Sequence, residues 1–425
     1  NINFLGLRGQ AKTRIARMMV LLLDEWIPVV QGSELNDDPF RPISHYALAK
    51  LKDEGDQMAI SWLHRNERYT EKLATPDVSI ADLIGDVDPI KAASLKLSYA
   101  DQRVIHYGLI PRSNRSIFVI NELPDLQARI QVALFNILQE GDIQIRGFQL
   151  RMPLDIQFVF TANPEDYTNR GSIVTPLKDR IGSQIFTHYP KSIELAREIT
   201  EQEAKISSED KAAIKVCHLA KDLLEEIAFE ARNSEYVDAK SGVSARMTIS
   251  AMENLVAAAK LRLIETESTD TSLRLVDFAS IIPSITGKIE LVYEGEQEGA
   301  DQVAQLLIDK AVITQFEKIF PSIPKLEKEG VKTTYSDIIE WFDSNYIELN
   351  YTATDTEFYK NLNSIKPLMT VIKEHASQLE QEDQAFCMEL VLWALTIKNK
   401  LDKAENNTSL KFDSVGLNQF LFGDN

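Results

Sequence analysis

Apolar positions along the chain follow two rhythms. Short runs stand at Ile2-Asn3-Phe4-Leu5, Ile117-Phe118-Val119-Ile120 and Ile156-Gln157-Phe158-Val159-Phe160. Runs of this length suit strands of a parallel sheet that are buried on both faces. Between them apolar residues recur at helical spacing, as Ile15, Met18, Met19 and Leu22 after the first run and Leu126, Ile130, Ala133, Leu134 and Ile137 after the second. From Asp142 to Pro153 the period drops to two around Gly147, which predicts a β-hairpin. Tyr46–Leu63 reads as an irregular, exposed helical insertion. It follows a stretch without periodicity, from Val29 and Val30 through Gly32-Ser33, Asn36-Asp37-Asp38-Pro39 and Arg41-Pro42, which is turn chemistry. Gly85 closes one element, and Pro89 suits the first turn of the next helix.

Later the pattern is helical throughout: Ser192–Ile206, Ala212–Ala231, Arg246–Glu265 and Leu275–Ile285. An acidic, glycine-containing bridge (Glu290, Glu294, Gly295, Glu296, Glu298, Gly299) leads to four more helices, Asp301–Phe320, Tyr335–Phe342, Phe358–Ala376 and Asp383–Lys400. Lys403–Ser409 reads as loop, and Trp341, Phe342, Tyr346 and Trp393 as core aromatics. The chain is therefore α/β in its first part and mainly helical in the rest.

Composition narrows the partners. With 425 residues and 44% hydrophobic content the chain holds two or three domains with substantial cores. A net charge of −18 disfavours non-specific attraction to nucleic acid or to an anionic membrane. Cys217 and Cys387 sit far apart in helical contexts, so neither a disulfide framework nor a cysteine zinc site is indicated, and a reducing, cytoplasmic setting is expected. The six histidines (His45, His64, His106, His188, His218, His375) show no paired metal spacing. No G-x-S-x-G element is present, and no apolar run approaches the ~20 residues that span a bilayer. The first residue is not methionine and opens directly on a strand pattern, so further chain is expected upstream.

The candidate chemistry gathers at the ends of the apolar runs. After Ile2–Leu5 comes Gly6-Leu7-Arg8-Gly9-Gln10-Ala11-Lys12-Thr13, then a helix. A strand, a glycine loop and a helix start form a phosphate cradle: backbone N–H groups face the anion, the lysine reaches the β/γ-phosphates and the threonine hydroxyl faces Mg²⁺. The P-loop pattern G-x-x-x-x-G-K-[ST] has glycine where this chain has Ala11, so position 11 is expected to need no positive φ. The run Ile117–Ile120 ends in Asn121-Glu122, at the strand end where open α/β sheets bind ligands. In a P-loop ATPase that pair is normally Asp-Glu. Asn121 still accepts a hydrogen bond from metal-bound water but brings no charge, so Mg²⁺ affinity should drop, with Asp125 as a substitute carboxylate. Glu122 is the candidate base. Asn163, beyond the third run, would stand beside Glu122 if the two strands are neighbours and would position the hydrolytic water. Arg180 closes a short helix, from which it serves its own subunit or the nucleotide of the next.

The order and spacing of these segments resemble the AAA+ ATPases of the magnesium-chelatase and MoxR-like group, from residue 1 to about 290. Gly6–Thr13 resembles Walker A, Ile117–Glu122 Walker B, Asp142–Pro153 the hairpin before sensor 1, and Thr161-Ala162-Asn163-Pro164-Glu165 sensor 1. Asp179-Arg180 resembles the arginine-finger segment and Ser244-Ala245-Arg246 sensor 2. Asp86–Pro111 lies where the group inserts a hairpin into its second helix. The resemblance implies a P-loop AAA+ parallel-sheet core at 1–190 and a helical lid at 191–290. The helical C-terminal region at 291–425 lies beyond it, with no role assigned.

It also implies ATP/ADP and Mg²⁺ as cofactors. Gly6, Leu7, Arg8, Gly9, Gln10, Ala11, Lys12, Thr13 and Ile15 would contact the nucleotide, Thr13 and Asn121 the metal, and Glu122, Asn163, Arg180 and Arg246 would be catalytic. The implied activity is slow ATP hydrolysis by a homo-oligomeric ring, a hexamer, that remodels or matures a partner protein, such as one with a von Willebrand A domain. Two alternatives stand beside it: a magnesium-chelatase-type subunit for metal insertion, and a nucleotide-binding scaffold of low turnover, suggested by Ala11 and Asn121. A DNA motor with Arg146 and Arg151 lining a pore is disfavoured by the acidic balance, and the GAFTGA loop of transcription activators is absent.

Overall fold

The run Ile117–Ile120 is unbroken because its strand is covered on both faces. Ile117 and Val119 pack with Phe4, Ala16, Val20 and Val159 on one side of the sheet. Phe118 and Ile120 pack with Phe158, Phe160, Leu126, Ile130 and Leu134 on the other. The structure, a computed structural model, describes residues 1–99, 101–141, 143, 145, 152–164, 172–324, 332–406 and 409–415. It divides into two compact units, Asn1–His188 and Tyr189–Asn425.

The first unit is built on five strands: β1 (Ile2–Leu5), β2 (Tyr69–Leu73), β3 (Ser116–Asn121), β4 (Ile156–Ala162) and β5 (Ser183–Phe186). Their order is β2-β3-β4-β1-β5, and all four pairings are parallel. Helix α1 (Lys12–Met18) follows β1, α2 (Ala128–Glu140) lies between β3 and β4, and α3 (Thr175–Arg180) precedes β5. β3 and β4 are neighbours, in register to Ile120 opposite Phe160, so the condition for placing Asn163 beside Glu122 is met. Both edge strands escaped the sequence pattern. β2 reads Tyr-Thr-Glu-Lys-Leu, and β5 is exposed at every residue. An edge strand needs far less apolar surface than a central one.

The insertions also differ from expectation. The α-helix here is His45–Glu54, so the stretch Tyr46–Leu63 is α-helical only to Glu54; Ser44 caps it, its hydroxyl accepting from Ala47 N–H. Ile60–His64 is a strand, and it pairs antiparallel with Trp26–Val30, whose last two residues, Val29 and Val30, open the stretch read as turn chemistry. Ile27 and Val29 are buried, so the alternation was there but was interrupted by Pro28. Gly85–Val87 and Ile105–Tyr107 form an antiparallel pair around a helix at Pro89–Leu95, with proline in its first turn and Asp88 as cap. The expected hairpin at 142–153, with Arg146, Gly147 and Arg151, lies largely outside the described residues, as does Glu165.

The second unit is mainly helical: α4 (Ile193–Glu203), α5 (His218–Asn233), α6 (Arg246–Glu265), α7 (Ala300–Ile319) and α8 (Gln381–Ile397) are its longest helices. One hydrophobic cluster runs through it from Ala204 to Phe412, and residues on both sides of 291 share it. α8 is covered nearly all round, burying Phe386, Cys387, Leu390, Val391, Leu392, Ala394 and Leu395. The stretch Phe358–Ala376 is two helices, Asp355–Asn363 and Lys366–His375, because Pro367 lacks an N–H and fits only a first turn. Ala212–Ala231 is interrupted by Ile214–Lys215, which pairs with Thr271–Ser272, and part of the acidic bridge is helical at Tyr293–Glu298. Lys403–Ser409 is not a plain loop: Asp402–Glu405 and Ser409–Asp413 pair antiparallel, and the latter also pairs with Ile347–Asn350. Phe342 and Trp393 are buried as expected, but Tyr346 is 61% exposed, with Lys411 Nζ 4.5 Å from its ring.

An ionic cluster sits inside this core. Arg262 bonds Asp277 at 2.5 Å and Arg274 bonds Asp355 at 2.9 Å. Beside them Glu389 accepts the Leu275 N–H at 2.9 Å, while its Oε1 is buried without a partner.

Candidate functional site

Three strand ends of the first unit, those of β1, β3 and β4, converge on one loop. Residues Gly6–Ala11 connect β1 to α1, and the sheet order puts β4 beside β1 and β3 beside β4. Gly6 is held tightly: its N–H donates to Ala162 O at 3.2 Å, and a Cβ there would collide with Thr187 Oγ1 and Gln10 Oε1. Those two side chains bond each other at 2.9 Å, clasping the loop to the residue after β5. Leu7 contributes its carbonyl to the site. Arg8 is exposed on the loop, and Ile15 lies on α1 with an exposed side chain.

Gly9 takes φ +70° and Ala11 takes φ +57°. The expectation that position 11 needs no positive φ is therefore corrected. Ala11 is the N-cap of α1, and its carbonyl accepts from Ile15 N–H at 2.8 Å while its own backbone is left-handed. A side chain in that region costs about 1 kcal/mol, which glycine would not incur.

The Lys12 ammonium donates to Gly6 O at 2.5 Å, Leu7 O at 2.8 Å and Asn163 Oδ1 at 2.6 Å. Asn163, one residue past β4, is only 8% exposed. Thr13 Oγ1 donates to Asn121 Oδ1 at 3.3 Å. The same oxygen accepts from Thr161 Oγ1 at 3.2 Å, and Thr161 Oγ1 accepts the Glu122 N–H at 3.1 Å. Glu122 is left-handed, φ +56° and ψ +51°, and caps a short turn, Leu123–Asp125, that buries Leu123 and Pro124. Asp125 closes that turn.

The structure thus brings together Gly6, Leu7, Lys12, Thr13, Asn121, Glu122 and Asn163. Arg180 is engaged elsewhere. Its guanidinium donates to Gln139 Oε1 at 3.2 Å from both Nε and Nη2, bonds Asp179 at 2.5 Å and lies 4.5 Å from the Phe135 ring centroid. Among the described residues these contacts belong to α2 and α3. Arg246 lies in the second unit as the exposed first residue of α6, its N–H donating to Ser244 Oγ at 3.2 Å. Sequence reasoning named Thr161 only as part of the segment resembling sensor 1, without a role of its own, and missed Thr187 and the role of Gln10. A threonine two positions before Asn163 was the available signal for the first.

For hard divalent cations the site offers oxygen, in the Thr13 hydroxyl and the Asn121 carbonyl. Among the described residues no group of three or more His, Cys, Asp or Glu could hold a metal ion. No described helix is long and apolar enough to cross a membrane.

No family model matches the chain. The magnesium-chelatase 38 kDa subunit of Cereibacter sphaeroides is 25% identical over 209 residues, 48% of this chain and 56% of that protein. Its counterpart from Rhodobacter capsulatus is 24% identical over 210 residues, 49% and 54% of the two chains. The chain spans just over half the length of these relatives. Among solved structures it is similar to a complex of the BchI and BchD subunits of magnesium chelatase, at 16% identity, 70% of this chain, 90% of that one and TM-score 0.35. It is also similar to NtrX from Brucella abortus in complex with ADP, at 12% identity, 74% and 58% coverage and TM-score 0.38. Over about half its length the chain is thus similar in sequence to two magnesium-chelatase subunits, in line with the resemblance its motifs carry to the AAA+ ATPases of the magnesium-chelatase and MoxR-like group.

Proposed function

We propose that the chain binds ATP and ADP with Mg²⁺ at Gly6–Thr13, hydrolyses ATP slowly and works as a ring, a hexamer, that remodels or matures a partner protein. The observation that carries this reading is the convergence of Lys12 and Thr13 on Asn163 and Asn121, the polar ends of the two neighbouring strands. The residues fit the ligand. Gly6 keeps open a cradle that any side chain would fill, and Thr13 and Asn121 present the oxygens a hard cation prefers. Mg²⁺, when bound, neutralises charge on the β- and γ-phosphates.

Each residue then has one task. Lys12 binds phosphate oxygens. Asn163 orients a water, and Glu122 accepts its proton as the water oxygen bonds the γ-phosphorus and the bond to ADP breaks. Thr13 and Asn121 hold the metal. Arg180 of one subunit completes the site of the next once it leaves Gln139, and Arg246 is the proposed sensor 2 arginine. Because Asn121 is neutral, it would hold the metal with one charge fewer than an aspartate supplies, and slow hydrolysis would follow.

A second reading, energising metal insertion as a chelatase subunit, is favoured by the similarity to the two 38 kDa subunits. A third, a scaffold of low turnover, is favoured by Ala11 and Asn121. A partner with a von Willebrand A domain belongs to the first reading, and a cytoplasmic setting to all three.

Calorimetry with ADP tests the site. Lys12→Ala should lose nucleotide binding, and mixing Lys12→Ala with Arg180→Ala subunits should recover hydrolysis that each lacks alone. Unchanged affinity in Lys12→Ala would remove the nucleotide reading. Full activity of Arg180→Ala alone would remove the shared-site ring.

A further inference from the structure

The β3–β4 register ends at Ile120 opposite Phe160, so Glu122 lies beyond that ladder. Its N–H is taken up by a side chain, the hydroxyl of Thr161 on β4. Thr161 is 2% exposed, and a buried hydroxyl has one proton to give. It gives that proton to Asn121 Oδ1, which also accepts from Thr13. The four groups make a continuous relay: Glu122 N–H to Thr161 Oγ1, Thr161 O–H to Asn121 Oδ1, and Thr13 O–H to the same oxygen.

Two consequences follow from elementary chemistry. An amide nitrogen cannot accept a hydrogen bond, so two hydroxyl donors on one side fix which end of the Asn121 amide faces Thr13. A left-handed glutamate backbone persists only where its surroundings hold it, and the Thr161 hydroxyl is a side-chain group that bonds this one.

We propose that Thr161 is a positioning residue for the Mg²⁺–nucleotide site: through one hydroxyl it orients Asn121 on the metal side and the backbone of Glu122 on the water side. This role rests on the nucleotide-site reading above. It differs from that of a threonine buried only for packing, which would bear on stability and leave metal and turnover untouched. The hydroxyl acts on both neighbours at once, so its removal changes metal dependence and hydrolysis together.

The test compares Thr161→Val, which keeps the shape and removes the hydroxyl, with Thr161→Ser, which restores it. ADP binding is measured by calorimetry across a Mg²⁺ titration, alongside single-turnover ATP hydrolysis and the melting temperature. For Thr161→Val we expect metal-free ADP affinity within about twofold of the parent. The Mg²⁺ needed for half-maximal effect should rise about fivefold and the turnover rate fall about tenfold, the scale of one lost hydrogen bond. Thr161→Ser should return both to within about threefold.

If valine prevents folding, Thr161→Ala carries the same expectation. Parent-like Mg²⁺ dependence and turnover in the valine or alanine variant would overturn the role. So would a loss of metal-free affinity that serine does not rescue. A parent chain that binds ADP without turning over ATP leaves the Mg²⁺ titration to decide. A parent chain that binds no ADP would remove the nucleotide site itself and this role with it.

Discussion

Replacing Asn163 by alanine should tighten nucleotide binding while slowing hydrolysis. The Lys12 ammonium has three N–H bonds, and three oxygens stand at 2.5, 2.8 and 2.6 Å from its nitrogen. A phosphate oxygen that engages Lys12 must displace at least one of them. Gly6 O and Leu7 O belong to the loop itself, whereas Asn163 belongs to the end of β4, so the Asn163 bond is the one to yield. A hydrogen bond from a charged donor is worth about 1.5–3 kcal/mol net. With the site only partly buried and water able to replace part of the bond, we expect a gain of about 1.4 kcal/mol, close to tenfold in affinity for ADP. The same change removes the amide assigned to the attacking water, so single-turnover hydrolysis should fall by about tenfold or more. Calorimetry and rapid-quench kinetics read the two effects separately. Asn163→Asp supplies the opposite sign, since a carboxylate grips Lys12 and repels phosphate, and its affinity should fall. If Asn163→Ala weakens ADP binding, or if alanine and aspartate move affinity in the same direction, the proposed competition for Lys12 is wrong.

Three further predictions rest on separate features. Ala11→Gly should relieve the left-handed backbone and raise the unfolding free energy by up to about 1 kcal/mol, less the entropy glycine adds to the unfolded chain; denaturant unfolding that shows a loss would contradict the strain. Asn121→Asp should lower the Mg²⁺ needed for hydrolysis, since it restores one negative charge beside the cation, and a Mg²⁺ titration unchanged from the parent would point instead to Asp125.

Glu389 should make stability fall with rising pH. Burial pushes its carboxyl up to about 8, opposed by Arg274. Two arginines are already matched by Asp277 and Asp355, so a neutral Glu389 leaves the cluster balanced. Below the ordinary glutamate range both states hold the proton. Between that range and about 8 only the folded state does, so its stability declines as pH rises. Glu389→Gln should therefore gain on the parent between pH 5 and pH 8 by roughly 1 kcal/mol or more in denaturant melts, and an equal difference at both pH values would refute the assignment.

Much of the site was readable because its residues follow strands whose signal is strong. β3 is apolar at four consecutive positions because α1 packs on one side and α2 on the other, and a strand so placed announces both itself and the residues at its end. β2 and β5 carry no such mark, since each has a neighbour on one side only. Pro28 hid the strand at Trp26–Val30, which pairs through its buried Ile27 and Val29 with a segment thirty or more residues away. The positive φ of Ala11 was illegible for another reason: backbone conformation at one residue is imposed by the loop around it, and alanine gives no local sign of it. Thr161 was placed in the segment resembling sensor 1 but given no task, because a threonine inside a strand is ordinary. Only the pairing of β3 with β4 turns it toward Asn121 and Glu122.

The shared core of the second unit limits how this protein can be cut and recombined. α7 and α8 supply Val303, Leu307, Ala311 and Phe316, and Leu390, Val391 and Leu392, to the same interior as α5 and α6. A chain stopped after Gly287 would leave the apolar surface of α5 that α7 and α8 cover facing water. Residues 189–415 therefore behave as one inheritable piece: a swap of α5 and α6 between relatives must carry α7 and α8 along, and a protease that nicks the Tyr293–Glu298 region would be expected to leave two fragments that still cling together.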